Sequence, residues 1–119
     1  MLVLLKNLQT CANLEVLDLR DNFLHKASLV ELSNLITSST TLKSLNLSDC
    51  NIEEEDNPLV IAAFEATNVK LSKFGYNYNQ LNGENANKLL DAVLKNSNNL
   101  TKFDVKGNDF TKQNKAYYQ

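Results

Sequence analysis

Leu42-Lys-Ser-Leu45-Asn-Leu47-Ser-Asp-Cys50 sets apolar residues at its first, fourth and sixth positions and closes on a small, weakly polar one. The same spacing returns in Leu14-Glu-Val-Leu17-Asp-Leu19-Arg-Asp-Asn22, in Leu71-Ser-Lys-Phe74-Gly-Tyr76-Asn-Tyr-Asn79 and in Leu100-Thr-Lys-Phe103-Asp-Val105-Lys-Gly-Asn108. All four fit L-x-x-L-x-L-x-x-N/C. The closing positions are 22, 50, 79 and 108, so successive steps are 28, 29 and 29 residues. Self-similarity at this period marks a stacked-repeat architecture, in which each unit buries its apolar face against its neighbours. One match would carry little weight; four at near-constant spacing decide the fold.

The x-L-x-L stretch alternates with period two and reads as a short strand. Leu17 and Leu19 point into a core, while Asp18 and Arg20 point out. Tyr76 and Val105 replace leucine and keep the pattern apolar. The closing Asn stands where the chain leaves the strand, and its amide can satisfy backbone groups that lose their ladder partners. Cys50 fills that slot as a small buried residue with a weak donor. The rest of each period is long enough for a helix. Ser28-x-x-Glu31 reads as a capping box, followed by Leu29, Leu32, Leu35 and Ile36 at helical spacing. Asn57-Pro58 reads as an N-cap with proline at the first helical position, ahead of Leu59, Ile61, Ala62, Ala63 and Phe64. Asn82-Gly83 signals a turn, and Leu89, Leu90, Val93 and Leu94 supply the next stripe. Leu2 to Leu8 reads as the helix of a preceding repeat. The expectation is one domain over residues 1–119, about four repeats with the first incomplete at its N-terminal side. It is an α/β solenoid with short parallel strands on the concave side and helices on the convex side.

Composition narrows the function. The chain has 119 residues, 43% of them in the hydrophobic set, and a net charge of −2. A basic stripe for nucleic acid is not supported. The N-terminal Leu-Val-Leu-Leu run is broken by Lys6 and is too short to span a membrane or serve as a secretory signal. The expected location is therefore intracellular, where a disulfide between Cys11 and Cys50 is not expected. The chain starts on an apolar half-repeat, and after Phe110 it fades into a short polar tail. It reads as the last part of a longer array, with Tyr117-Tyr118 covering its final repeat.

The candidate binding residues follow the strands. Asp21 and Asp49 precede the closing residue, and Tyr78 and Gly107 hold that position in the later repeats. With Ser48, Asn77 and Lys106 they form a row along one rim. The row reads either as a partner-binding edge whose acids steer a basic patch or as a solvated turn whose Asp side chains bond local backbone. Arg20, the only arginine, reads first as an outward strand residue between Asp18 and Asp21 that can still touch a partner. Glu53-Glu54-Glu55-Asp56 suits the start of a helix and lacks the spaced ligands and turn glycine of a calcium loop. His25, the only histidine, has no triad spacing and reads as a loop residue. No P-loop, dinucleotide fingerprint, zinc pattern or nucleophile elbow appears. No catalytic residue, metal or cofactor is expected.

The spacing and helix length resemble the ribonuclease-inhibitor-type leucine-rich repeats. Within that class the chain resembles the Ran GTPase-activating proteins. Leu14-Glu-Val-Leu-Asp-Leu-Arg-Asp-Asn22 is similar to that family's L-x-x-L-D-L-x-D-N repeat, and Leu45-Asn-Leu-Ser-Asp-Cys50-Asn-Ile to its L-x-L-N-D-C-x-L repeat. Leu71 to Leu81 with Tyr78-Asn79 is similar to L-x-x-L-x-L-x-Y-N-x-I, and Val105-Lys-Gly-Asn108-Asp-Phe110 to the final L-x-G-N-x-F. The motifs come in the order of the family's C-terminal repeats. The resemblance implies a monomer that grips the small GTPase Ran through post-strand loops, in the cytoplasm and at the nuclear periphery. The family's conserved arginine and asparagine lie in N-terminal repeats with no counterpart here. Contact without stimulation of GTP hydrolysis is what the resemblance implies for this stretch. The other reading is a general interaction scaffold of ribonuclease-inhibitor or immune-receptor type.

Overall fold

The structure is a computed structural model and describes residues 1–67, 69–96 and 100–108. The expectations placed on Phe110 and on Tyr117-Tyr118 lie outside the described residues. Helices and strands alternate: α1 (Leu2–Leu8), β1 (Val16–Asp18), α2 (Lys26–Ser38), β2 (Ser44–Asn46), α3 (Asn57–Ala66), β3 (Lys73–Gly75), α4 (Gly83–Asn96) and β4 (Lys102–Asp104). The strands form one sheet in the order β1-β2-β3-β4, with every pair parallel. Each helix packs on the next along the other side of the solenoid.

The inward alternation sets this arrangement. Leu17, Leu19, Leu45, Leu47, Phe74, Tyr76 and Val105 are buried, and Phe103 packs against them half-buried. Leu29, Leu32, Leu35 and Ile36 meet them from α2, Val60, Ile61, Ala63 and Phe64 from α3, and Leu89, Leu90 and Val93 from α4. Each large apolar side chain so buried contributes about 1.5–3 kcal/mol. The third repeat substitutes aromatics: Phe74 meets Phe64 and Phe103 edge-on and stacks on Tyr76.

Two helix starts differ from the sequence expectation. The α2 helix begins two residues before Ser28, with His25 as its N-cap, so Ser28 sits buried inside the first turn and no capping box forms. Glu31 instead accepts a hydrogen bond from Gln9 Nε2 at 2.7 Å, tying the end of α1 to α2. The N-cap of α3 is Asp56, not Asn57. Asn57 is fully buried, and its Oδ1 accepts from the Tyr76 hydroxyl. Its Nδ2 donates to Glu54, which also takes Asn85 Nδ2 at 2.8 Å. Tyr76 is therefore more than a leucine substitute, because its phenol needs a partner in the core.

The closing residues stitch neighbouring repeats. Asn79 Oδ1 accepts from the Cys50 and Ile52 N–H groups at 3.1 and 3.4 Å, and Asn79 Nδ2 donates to Leu47 O at 2.7 Å. Asn108 does the same one repeat on, with Asn79 N–H, Leu81 N–H and Tyr76 O. Cys50 keeps only the donor half, from Sγ to Leu19 O at 3.1 Å. The Asn22 amide reaches only its own turn, at Leu19 O and Arg20 O.

Candidate protein-binding surface

The sheet lines up the outward strand positions in rows. Val16, Ser44, Lys73 and Lys102 are register partners, as are Asp18, Asn46, Gly75 and Asp104. A third row, Arg20, Ser48, Asn77 and Lys106, follows the strands. It is held by Asp21 N–H to Ser48 O, Asp49 N–H to Asn77 O and Tyr78 N–H to Lys106 O. The polar face thus comes from side chains that the core does not use.

The sequence points to seven residues. Arg20 is exposed, with Nε 3.2 Å from Asp18 Oδ2. Asp21, Asp49 and Tyr78 lie together on the rim in the left-handed region, with φ of 62°, 54° and 57°. The αL turn explains the residue types: Asp tolerates it, and glycine, as at Gly107 (φ 70°), adopts it freely. Tyr78 is the bulky exception. It is 56% exposed and lies across Gly107, where an added Cβ would come within 2.0 Å of its ring. Lys106 is exposed beside it. Ser48 and Asn77 serve the scaffold. The buried Ser48 hydroxyl accepts from Asn77 N–H at 3.0 Å, and Asn77 Oδ1 accepts from Lys106 N–H at 2.7 Å. The Asx-type bonds expected of the rim aspartates are made three residues earlier, by Asp18 to Arg20 N–H and by Asn46 to Ser48 N–H.

Strand residues that the post-strand reading passed over complete the surface. Lys73 and Lys102 project from paired positions beside Gly75, and with Ser44, Asn46 and Asp104 they line a shallow depression of about 150 Å³. Their signal is the variable position inside x-L-x-L, which alternation always turns outward.

His25 is exposed, with its ring against Phe23. Cys11 is exposed and Cys50 buried, both as free thiols. Burial, above all, raises the Cys50 thiol from 9.0 to about 11, with Asp21, Asp49 and Asp18 adding to the rise against a hydrogen bond from the Asn22 backbone. Burial likewise pushes the Tyr76 phenol well above its ordinary value. Among the described residues no cluster of His, Cys, Asp and Glu is placed to hold a metal ion, and no helix is long and apolar enough to cross a membrane.

Residues 13–35 and 38–56 each match a family model described as a leucine-rich repeat. Those two stretches match leucine-rich repeats. The fold is shared with a solved Caenorhabditis elegans structure, titled as a tropomodulin C-terminal domain. It superposes with a TM-score of 0.74 at 15% identity, over 90% of this chain and 65% of that one. At that identity the likeness establishes the fold alone, and the chain spans about two thirds of the length of that structure. No curated protein matches the sequence.

Proposed function

We propose that this leucine-rich repeat chain is a protein-binding module, using the concave strand face and the rim that follows it. The observation that carries this reading is the set of parallel rows from Val16 and Asp18 across to Lys102 and Asp104, set on a rigid apolar scaffold. Rigid elements that present variable side chains suit a recognition surface. In this reading the chain works as a monomer without a cofactor or metal and is not itself an enzyme. A photo-crosslinking residue at Asp18 or Arg20, which are exposed on the concave side, is expected to capture a discrete partner protein. The same residue at Ala62, exposed on α3, is expected to capture none. Equal capture from both faces sinks the proposal.

A finer reading, in which the partner is the small GTPase Ran in the cytoplasm and at the nuclear periphery, is supported by the order of the Leu-Arg-Asp-Asn22, Leu-Ser-Asp-Cys50 and Asn-Tyr-Asn79 motifs. Arg20 is then a contact residue, since its guanidinium is occupied by Asp18 at the end of a strand. Titration against Ran loaded with a GTP analogue tests this, with saturable binding expected and no acceleration of GTP hydrolysis by this chain. Absence of binding removes Ran as the partner. Clear acceleration refutes the assignment of the activating residues to other repeats.

A further inference from the structure

Lys73 and Lys102 are direct cross-strand partners on one face of adjacent strands, about 4.8 Å apart. Like charges set opposite each other on a sheet destabilise it, so folding alone does not favour this pair. Asp104 lies 3.6 Å from Lys102 and offsets one charge. No ion pair reaches Lys73 or Lys106 among the described residues. This end of the concave face therefore carries three lysines against one aspartate, in a chain whose net charge is −2.

The ground beside the pair is taken by the Asn46 side chain. Gly75 occupies the neighbouring outward position, where an added Cβ would fall 2.6 Å from Asn46 Oδ1. A glycine inside a strand often marks close approach of another group. Asn46 Oδ1 already accepts from Ser48 N–H. Asn46 Nδ2 and the Ser44 hydroxyl make no hydrogen bond among the described residues. Two ammonium groups, an amide and a hydroxyl able to donate thus border one depression of about 150 Å³, which the Asp18 and Asp104 carboxylates also line.

We infer that the C-terminal half of the concave face holds an acidic segment of a partner protein, with a carboxylate seated between Lys73 and Lys102. The inference rests on the protein-binding reading and names the chemistry of the partner. Charge-assisted hydrogen bonds to a carboxylate would relieve the lysine pair, and the exposed Tyr78 ring beside Lys106 offers apolar contact to the same segment. Asp18 and Asp104 line the depression itself, and Asp21 and Asp49 on the rim flank the patch. They set its polarity and disfavour a continuous polyanion, which needs a long basic track.

The test is a fluorescence-anisotropy titration of the full chain with a labelled peptide of alternating glutamate and serine at low salt, with the contact mapped by backbone amide shifts. Saturable binding is expected, with shifts centred on Ser44, Lys73, Gly75 and Lys102. Lys73→Glu with Lys102→Glu, both exposed, is expected to weaken binding about tenfold or more. Lys88→Glu on α4 is expected to leave it unchanged. Equal loss from Lys88→Glu, shifts scattered over the molecule, or tighter binding of a single-stranded oligonucleotide of the same charge overturns the inference. A crosslinked partner that survives the double charge reversal also overturns it, while leaving the protein-binding reading intact.

Discussion

At the residue scale, three buried side chains define testable polar chemistry in a largely apolar core. The Tyr76 hydroxyl has its partner in Asn57 Oδ1, and both residues are fully buried. Tyr76→Phe strands that acceptor, and an unmet buried hydrogen-bonding group costs about 1–3 kcal/mol. Urea unfolding should show this loss. Asn57→Ala should show a similar one, and the double variant less than their sum because the two share one interaction. Cys50 bears on pH. Its folded-state pKa of about 11 lies above the ordinary 9.0, so the folded chain holds the proton more tightly than the unfolded one. The stabilisation is complete below pH 9 and is lost as pH rises to about 11, an effect of about 2–3 kcal/mol. Tyr76 acts in the same direction above its ordinary pKa of 10.0. Melting temperature should therefore fall with alkaline pH, and Cys50→Ala should flatten the first part of that fall. An unchanged slope in the variant would show that the thiol is not the titrating group.

At the scale of the elements, the strands are only three residues long, and the turns after them carry much of the inter-repeat bonding. Asn79 satisfies two N–H groups and one carbonyl of the preceding repeat. The Asn22 side chain bonds only its own turn and is exposed. Asn79→Ala should therefore cost about 3 kcal/mol or more, against about 1 kcal/mol or less for Asn22→Ala, by chemical denaturation. Equal costs would show that the cross-repeat bonds contribute little. The helix starts show how tertiary contacts override local signals. Ser28-x-x-Glu31 has the letters of a capping box, yet the chain is already helical from Lys26, and Glu31 is drawn to Gln9 of α1.

On the scale of the whole molecule, the main helix–helix and strand–strand contacts among the described residues run between successive repeats. Stability in such an array is close to a sum of nearest-neighbour terms, with interior units held from both sides. β2 and β3 have strand partners on both edges and β1 on one. Hydrogen exchange should accordingly be slower at Leu47 and Tyr76 than at Leu19, although each of these amides donates to the next repeat. Equal protection would mean that the array opens as a single unit. The same stacking turns separate variable positions into one concave surface, on which Lys73 and Lys102 become neighbours.

The sequence by itself determined the repeat, the parallel α/β solenoid and the inward and outward sense of each strand residue. Period-two alternation and a step of 28 or 29 residues admit little else. It also placed Asp21, Asp49, Tyr78 and Lys106 along a common edge. Only the tertiary structure decided which polar residues belong to the scaffold and which stay exposed. Ser48 and Asn77 spend their side chains on the next repeat's backbone. Tyr76 and Asn57, from different elements, meet in the core. Lys73, Gly75 and Lys102 gather into a patch. Each of these pairings spans 19 to 29 residues of chain. Local propensity and spacing act within a few residues, so such meetings are set by how one repeat stacks on the next.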